Sequence, residues 1–543
     1  MKSASHWPKH IYLIANGNTA HQHNPSKESM GSKAFNLLRM TEIGLVVPQA
    51  LVIGTHYAQC PDECMLPVFA VGLAALQDAC GLLFGDARKP LIVSVRSGAP
   101  VSMPGMMETL LNIGLCDATL PGLLRQTGNP RLAWDAYRRL IASYGEVVAG
   151  LDGRLFEDEL LRATQRRDER ELDFSELRDL TANFKSIYAQ NAGSDFPQDV
   201  NEQLSGSIRS VFASWNSAKA QSYRNLNHID ATVGTAVTIQ AMAFGNSGGH
   251  SGAGVGFTRD PTTGEKQLWV DFLANAQGED VVSGRRNAHG HQAIADLAPQ
   301  AWHQLQEATQ ALEREFTDMQ DFEFTVQDGA LHMLQTRTGK RTPFAAARIA
   351  LDLLDEGVID AATAQQRTVA LQEADMGCVQ IAPVGEATAA AVPLAHGASA
   401  CPGVVSGEIA LDGERVAARV AAGASVILVR QDAQTSDIVA LESAAGLLTQ
   451  RGARTSHAAV VARQLGRVCL VGCEDLRIDP TARTVQLADQ ILCEGDTITL
   501  DGNAGSIYAG AVAAVKVPDL ALLKRLRALR ATQAEAHHRK HAS

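Results

Sequence analysis

A stretch of alanine, proline and glycine between Ile381 and Gly397 limits what this chain can fold into more than any other feature. It is too poor in large apolar side chains to sit in a core, so it reads as an inter-domain linker with separate cores on either side. At 543 residues the chain is in any case too long for one core and is expected to form three or four folded units. Its 45% hydrophobic and 20% charged residues are ordinary globular values, which excludes global disorder. A net charge of −11 argues against a general nucleic-acid or anionic-membrane binder, although a local basic cleft can still hold phosphates.

No apolar run is expected to approach bilayer length, and the N-terminus has only a brief apolar segment from Ile11 to Ala15. With no convincing signal peptide, the chain reads as soluble and cytoplasmic. Its nine cysteines, an odd number without an export signal, are expected to be reduced thiols. The pairs Cys60/Cys64 and Cys469/Cys473 have no companion histidines at zinc spacing, which speaks against structural zinc.

Ile11 to Ile14 reads as a first strand. A polar loop follows, then a helix from Gly31 to Met40 that places Lys33 near its start. Lys33 there either meets a phosphate or is an exposed surface lysine. Leu91 to Val95 is a buried-strand pattern ending at Arg96, which suits either an anion held bidentately or a structural ion pair. The next loop, Ser102 to Glu108, combines Pro104 and Gly105 with three methionines. Residues 130–221 are helical and polar. After a strand from Ala236 to Ala243, Gly245 to Gly256 holds six glycines in twelve residues. Such a loop lets backbone N–H groups approach phosphates, as a lid over a nucleotide would. Gly252, Gly254 and Gly256 do not form a dinucleotide fingerprint, because no helix pattern follows. Ser247 matches G-x-S-x-G only formally, since a nucleophile elbow needs a helix directly after the serine.

Leu268 to Phe272 is a further strand leading to Glu279. Asp321 to Val326 then alternates acidic and apolar residues, putting Asp321 and Glu323 on one face. Asp328-Gly329 makes a hairpin turn, and Leu331 to Arg337 returns with Gln335 and Arg337 on a shared face. Oxygen ligands on one strand and a guanidinium on its partner are what a Mg²⁺–nucleotide site needs. A half-buried surface hairpin with a cross-strand salt bridge is the alternative.

Beyond the linker, strands alternate with short helices around Gly446 to Gln450 and Arg454 to Gly466 (RTSHAAVVARQLG). The order strand, turn, His457, helix lets Thr455 or Ser456 cap the helix. The helix dipole there disfavours imidazolium, and the free N–H groups can receive an anion built on the ring. A phosphohistidine fits this chemistry, as does a satisfied surface histidine.

Four segments, SVRSGAPVSMPGMMETLLNIGL (94–115), GFTRDPTTGEKQLWVDFLANAQGEDVV (256–282), MQDFEFTVQDGALHMLQTRTGKRT (319–342) and TSHAAVVARQLGRVCLVGC (455–473), resemble the pyruvate, phosphate dikinase family in its order. The resemblance implies an α/β and α+β multidomain protein. An ATP-grasp-like nucleotide-binding domain of two lobes would span 1–342, with a helical insertion at about 130–221. A helical segment (343–380), a linker (381–398), a swivelling phosphohistidine domain (399–516) and a C-terminal helix and tail (517–543) would follow.

The resemblance also implies roles. His457 is the phosphoryl acceptor, with Arg337 beside it in catalysis. Lys33, Arg96, Glu279, Glu323 and Gln335 contact ATP, Gly252 and Gly254 cover its phosphates, and Asp321 and Glu323 hold Mg²⁺. In that family the histidine attacks the β-phosphorus of ATP, AMP leaves, and inorganic phosphate removes the outer phosphoryl as pyrophosphate. Thr455 matches a residue phosphorylated by a regulatory kinase in plant members.

Two departures stand out. The lysine segment reads GSKAFNL where the family has GGKGANL. Family members also continue past the helix near 519–530 into a pyruvate- and phosphoenolpyruvate-binding barrel, so the acceptor is expected on a separate chain. Alternatives are a synthase-type reaction using water, a non-catalytic truncated homologue or nucleotide-binding regulator, and an ATP-grasp ligase, which would have no need for His457.

Overall fold

A computed structural model gives the structure at residues 7–17, 19–101, 103, 106–165, 167–282, 290–382, 392–432, 437–452, 454 and 457–541. Within them the side chains of Leu226, Val282, Ile438, His457, Ala458, Gln464 and 532–541 are not described. Thr455, Ser456, most of the expected linker, and Ser102, Pro104 and Gly105 lie outside the described residues. The chain forms two compact units, Met1–Ser251 with Thr325–Thr336, and Gly252–Phe324 with Arg337–Ser543.

The first unit is built on a six-stranded sheet in the order Ala20–His21, Ile11–Ile14, Ala50–Ile53, Ala236–Ala241, Val93–Gly98, Thr109–Ile113, with every neighbouring pair antiparallel. Helices cover it. In Pro130–Val147, Leu132, Ala136, Leu140 and Tyr144 recur at helical spacing, and the core they join includes Leu110 and Ile113 of the sheet. Asn129 starts this helix by accepting from the Leu132 N–H, with Pro130 in the first turn. The helical stretch expected at 130–221 holds, among the described residues, five α-helices and a short 3₁₀ helix at Glu169–Glu171, the last α-helix ending at Leu226.

One expectation is corrected here. Pro61–Cys80 is helical, 20 residues long, and apolar enough to cross a membrane by length and composition. In this fold Cys64, Val68, Leu73 and Leu76 from that segment pack in the unit's core, while 28% of the apolar window is buried and Leu66 is exposed.

The second unit holds a four-stranded sheet in the order Ala330–Thr338, Gln320–Gln327, Gly252–Phe257, Trp269–Ala274, and the tip of its first hairpin belongs to the first unit. A separate eight-stranded sheet contains the parallel run Val404–Ala410, Val426–Arg430, Gly446–Thr449, Val468–Val471. These strands are apolar on both faces because each face meets its own layer. Ile427, Val429, Leu448 and Leu470 pack with Leu476, Val485 and Leu487 of a three-stranded meander. Val426, Leu428, Leu447 and Cys469 pack with Ala459 and Ala462 of the helix His457–Gln464 and with Val416 and Leu441 of two others. Burial pushes the Cys401 thiol up to about 11 and the Cys469 thiol higher still, so both behave as inert core residues.

The strands Gly377–Ile381 and Ala514–Pro518 pair antiparallel. The final helix, Leu520–His541, runs further than the short helix and frayed end expected from its polar tail. Leu522, Leu526 and Leu529 join the core formed by Ile349, Leu351 and Leu353, and that packing anchors its start.

Candidate active site

In the first unit the helix Ser32–Glu42 is held by three local devices. Gly31 has φ 76°, and a Cβ on it would collide with the carbonyl of Gly98. Only glycine permits this approach, which sets the helix start against the end of the strand Val93–Gly98. The Ser32 hydroxyl donates to the Ala99 carbonyl at 2.9 Å, and the buried Asn36 amide donates to the Thr336 carbonyl at 2.7 Å. Lys33, Arg96 and Gln335 consequently line one cleft, together with Ser97, Thr238 and Gln240. Arg96 and Thr238 are direct cross-strand partners. Two cationic side chains beside amides and hydroxyls are donor types that bind phosphate oxygens, and the cavity among them, also lined by Ala34, Leu37 and Leu334, is about 10 Å³. Thr238, Gln240 and Asn36 escaped sequence reading, because nothing in their local pattern separates them from ordinary strand or helix positions.

In the second unit Arg337 Nε donates to Asp321 Oδ2 at 2.8 Å, a salt bridge between the two strands. Asp328 and Gly329 have φ 50° and 83°, as a type I′ hairpin turn requires. Burial pushes the Asp321 carboxyl above the usual aspartate range, and Arg337 partly offsets this. Arg337 is in turn driven up by Asp321, and Glu323 adds negative charge to both. Among the described residues no three His, Cys, Asp or Glu side chains converge as metal ligands. Two carboxylates nevertheless suit Mg²⁺, which takes one or two and fills its remaining positions with phosphate oxygens and water.

The glycine-rich stretch is part loop and part strand, since Gly245 to His250 forms turns and bends as expected. Gly252–Phe257 is a buried strand paired antiparallel with Trp269–Ala274. A Cβ on Gly252 would collide with the Phe272 ring, and one on Gly254 with the Phe324 ring. The glycines therefore make room for aromatic side chains of the same sheet, and Gly252 and Gly254 are packing positions in this fold. Glu279 lies exposed in the second unit, in the first turn of the helix Gly278–Val282.

His457 opens the helix His457–Gln464 directly after the strand Gly446–Thr449, the order read from the sequence. Arg454, just ahead of it, donates to Asp271 through Nε at 3.2 Å and Nη2 at 2.9 Å, and its guanidinium lies 4.2 Å from the centre of the Trp269 ring. Arg463, fully buried, donates to the carbonyls of Ala400 and Arg454 and faces the Trp269 ring at 5.1 Å. Burial draws the Arg463 guanidinium below the usual arginine range, opposed by nearby Cys401 and Cys469 and by the carboxylates of Asp260 and Asp321. The helix that begins with His457 is thus fixed to the strand Trp269–Ala274 within electrostatic reach of Asp321. Arg454 stands in the quoted histidine stretch, yet its partner is 183 residues away and leaves no local mark.

Two family models match the chain. Residues 73–290 match the pyruvate phosphate dikinase AMP/ATP-binding domain, and residues 423–505 match the mobile domain of PEP-utilising enzymes. Pyruvate, phosphate dikinase 2 of Oryza sativa subsp. japonica is 41% identical over 495 residues, 89% of this chain and 55% of the relative. The pyruvate, phosphate dikinase of Clostridium symbiosum is 39% identical over 518 residues, 92% of this chain and 58% of the relative. The chain belongs to the pyruvate, phosphate dikinase family. It spans about half the length of the curated relatives it matches, 52% of the chloroplastic enzyme of Mesembryanthemum crystallinum. Of the dikinase-like site residues, Arg96 and Glu279 fall in the first matched stretch and His457 in the second. Lys33 and the 321–337 hairpin fall in neither.

Proposed function

We propose that this chain is an ATP-dependent phosphotransferase of pyruvate, phosphate dikinase type that charges its own His457. Lys33 and Arg96 neutralise the nucleotide's phosphates, Gln335 orients them, and Glu279 contacts the nucleotide. Asp321 and Glu323 would hold Mg²⁺, which supplies charge neutralisation along the triphosphate. Arg337, paired to Asp321, lends positive charge where the transferred phosphoryl carries negative charge. A neutral His457 nitrogen forms a bond to the β-phosphorus. The bond from that phosphorus to the α,β-bridging oxygen breaks with its electron pair, and AMP leaves. Inorganic phosphate then attacks the outer phosphorus, pyrophosphate departs, and one phosphoryl remains on His457 for pyruvate or another acceptor, expected on a separate chain.

The observation that carries this reading is the placement of the His457 helix. Arg463 of that helix sits within electrostatic reach of Asp321, so His457 and the two acids proposed to hold Mg²⁺ belong to one compact unit. A ligase or a purely regulatory nucleotide-binding protein has no use for a histidine so placed.

The test uses purified protein, Mg²⁺, phosphate and ATP labelled at the β-phosphorus. Acid-labile, base-stable label is expected on wild type and absent from His457→Ala. No label on wild type, or equal label on His457→Ala, sinks the proposal. Replacing phosphate by water separates the dikinase reaction from the synthase type, and adding pyruvate afterwards tells whether this chain alone makes phosphoenolpyruvate.

A further inference from the structure

Resting on the phosphohistidine reading, we infer that Arg454 is a positioning residue that the phosphoryl group itself switches: its ion pair with Asp271 seats the histidine helix, and the charged His457 competes for the same guanidinium.

Asp271 is almost fully buried, with 2% of its side chain exposed, whereas Arg454 retains 26%. The carboxylate is therefore the fixed partner and the arginine the one able to leave. Both Nε and Nη2 of Arg454 reach Oδ1 of Asp271, and the flat face of the guanidinium lies over Trp269. Two distinct contacts, one electrostatic and one cation–π, thus tie the residue to the strand Trp269–Ala274. From behind, Arg463 holds the Arg454 carbonyl at 3.1 Å and itself faces both Trp269 and Phe257. The backbone at 454 is pinned while its side chain points across to the strand.

His457 follows three residues later, within roughly 10 Å of chain. A phosphoryl on its ring brings about two negative charges and three oxygens that accept guanidinium hydrogen bonds. Asp271 offers one charge. Arg454 accordingly exchanges Asp271 for the phosphoryl once it is made. The contacts that seat the helix before transfer are then lost after it, giving the uncharged histidine a docked state and the charged one a released state. No covalent step beyond the proposed transfer is involved.

Trp269 reports the exchange. Its fluorescence, taken as wild type minus Trp269→Phe, is expected to change on adding ATP, Mg²⁺ and phosphate, in proportion to label on His457. The change should be absent from His457→Ala under the same conditions and from Arg454→Met, and partial in Arg454→Lys, which keeps the charge but not the fork. Arg454→Met and Asp271→Asn should also label at least about tenfold more slowly, the scale of a misplaced reacting group. Asp271→Asn, isosteric and uncharged, is expected to keep the circular dichroism and thermal midpoint of wild type, whereas Arg454→Met strands the buried Asp271 carboxylate and is expected to lower the midpoint, which adding Asp271→Asn should largely restore while labelling stays slow.

Labelled wild type with an unchanged Trp269 signal overturns this inference alone. So does a signal that appears equally in His457→Ala, which would track nucleotide binding. Absence of label on wild type overturns both this inference and the phosphohistidine reading.

Discussion

Arg337 Nε lies 2.8 Å from Asp321 Oδ2, joining a carboxylate that is 8% exposed to a guanidinium that is 35% exposed. The asymmetry matters. Burial raises the aspartate's pKa more than the arginine lowers it, so the folded chain holds the Asp321 proton more tightly than the unfolded chain does. That contribution to stability is fully present below the unfolded value and is lost as pH rises through the higher folded value. Once ionised, the carboxylate is held at some cost to the fold, as a site kept ready for a cation would be.

Mg²⁺ must displace any proton from Asp321. Metal-dependent nucleotide binding should therefore weaken, as pH falls, at a higher pH than an ordinary aspartate would produce. Asp321→Asn should remove that step, lower label on His457 by about 10²-fold or more, and leave the thermal midpoint at pH 7 unchanged or slightly raised. Calorimetric titration with Mg²⁺–ATP between pH 4 and 8 checks the first outcome, and thermal unfolding checks the last. A marked fall in midpoint for Asp321→Asn would contradict this account.

Asn36 ties the Lys33 helix to the strand carrying Gln335 through its 2.7 Å bond to the Thr336 carbonyl. Asn36→Ala leaves that buried carbonyl without the bond and should cost about 1–3 kcal/mol in urea unfolding. Because Lys33 loses its support, ATP affinity should fall in parallel, whereas His457→Ala leaves affinity intact.

Gly254 has no room for a methyl group beside the Phe324 ring and the Asp271 carbonyl. Gly254→Ala is expected to destabilise by about 1–3 kcal/mol through overpacking of a buried strand. Its effect should appear in the thermal midpoint. If labelling falls while stability holds, Gly254 acts on the nucleotide after all.

Arg259 is fully buried between Glu313 at 2.9 Å and Glu356 at 2.9 Å. Arg259→Met keeps the volume but strands the buried Glu313 carboxylate, at a cost of about 3–5 kcal/mol. Lowering the pH toward the carboxylate range should restore part of that loss, because protonation relieves the orphaned charge. Guanidinium denaturation at pH 7 and pH 5 makes the comparison.

Much of this architecture is written locally. The alternation at Asp321 to Val326, the Asp328-Gly329 turn and the return to Arg337 specify a hairpin from neighbouring residues alone. The structure adds the Asp321–Arg337 bond. The strand into His457 and the helix it opens follow from an apolar run, a turn and small helix-forming residues. Where the local signal pointed elsewhere, packing prevailed. The glycines from Gly252 to Gly256 carry the composition of a loop, yet they form a strand because Phe272, Phe322 and Phe324 fill the space their missing side chains leave.

The sequence by itself determined the hairpin with its acids and arginine and the helix beginning at His457, because each rests on periodicity and turn chemistry within a few residues. Only the tertiary structure decided that Asn36 meets Thr336 across 300 residues and that Arg454 meets Asp271 across 183. Such pairs are selected by which surfaces pack together, and no local propensity encodes the partner of a side chain so distant along the chain.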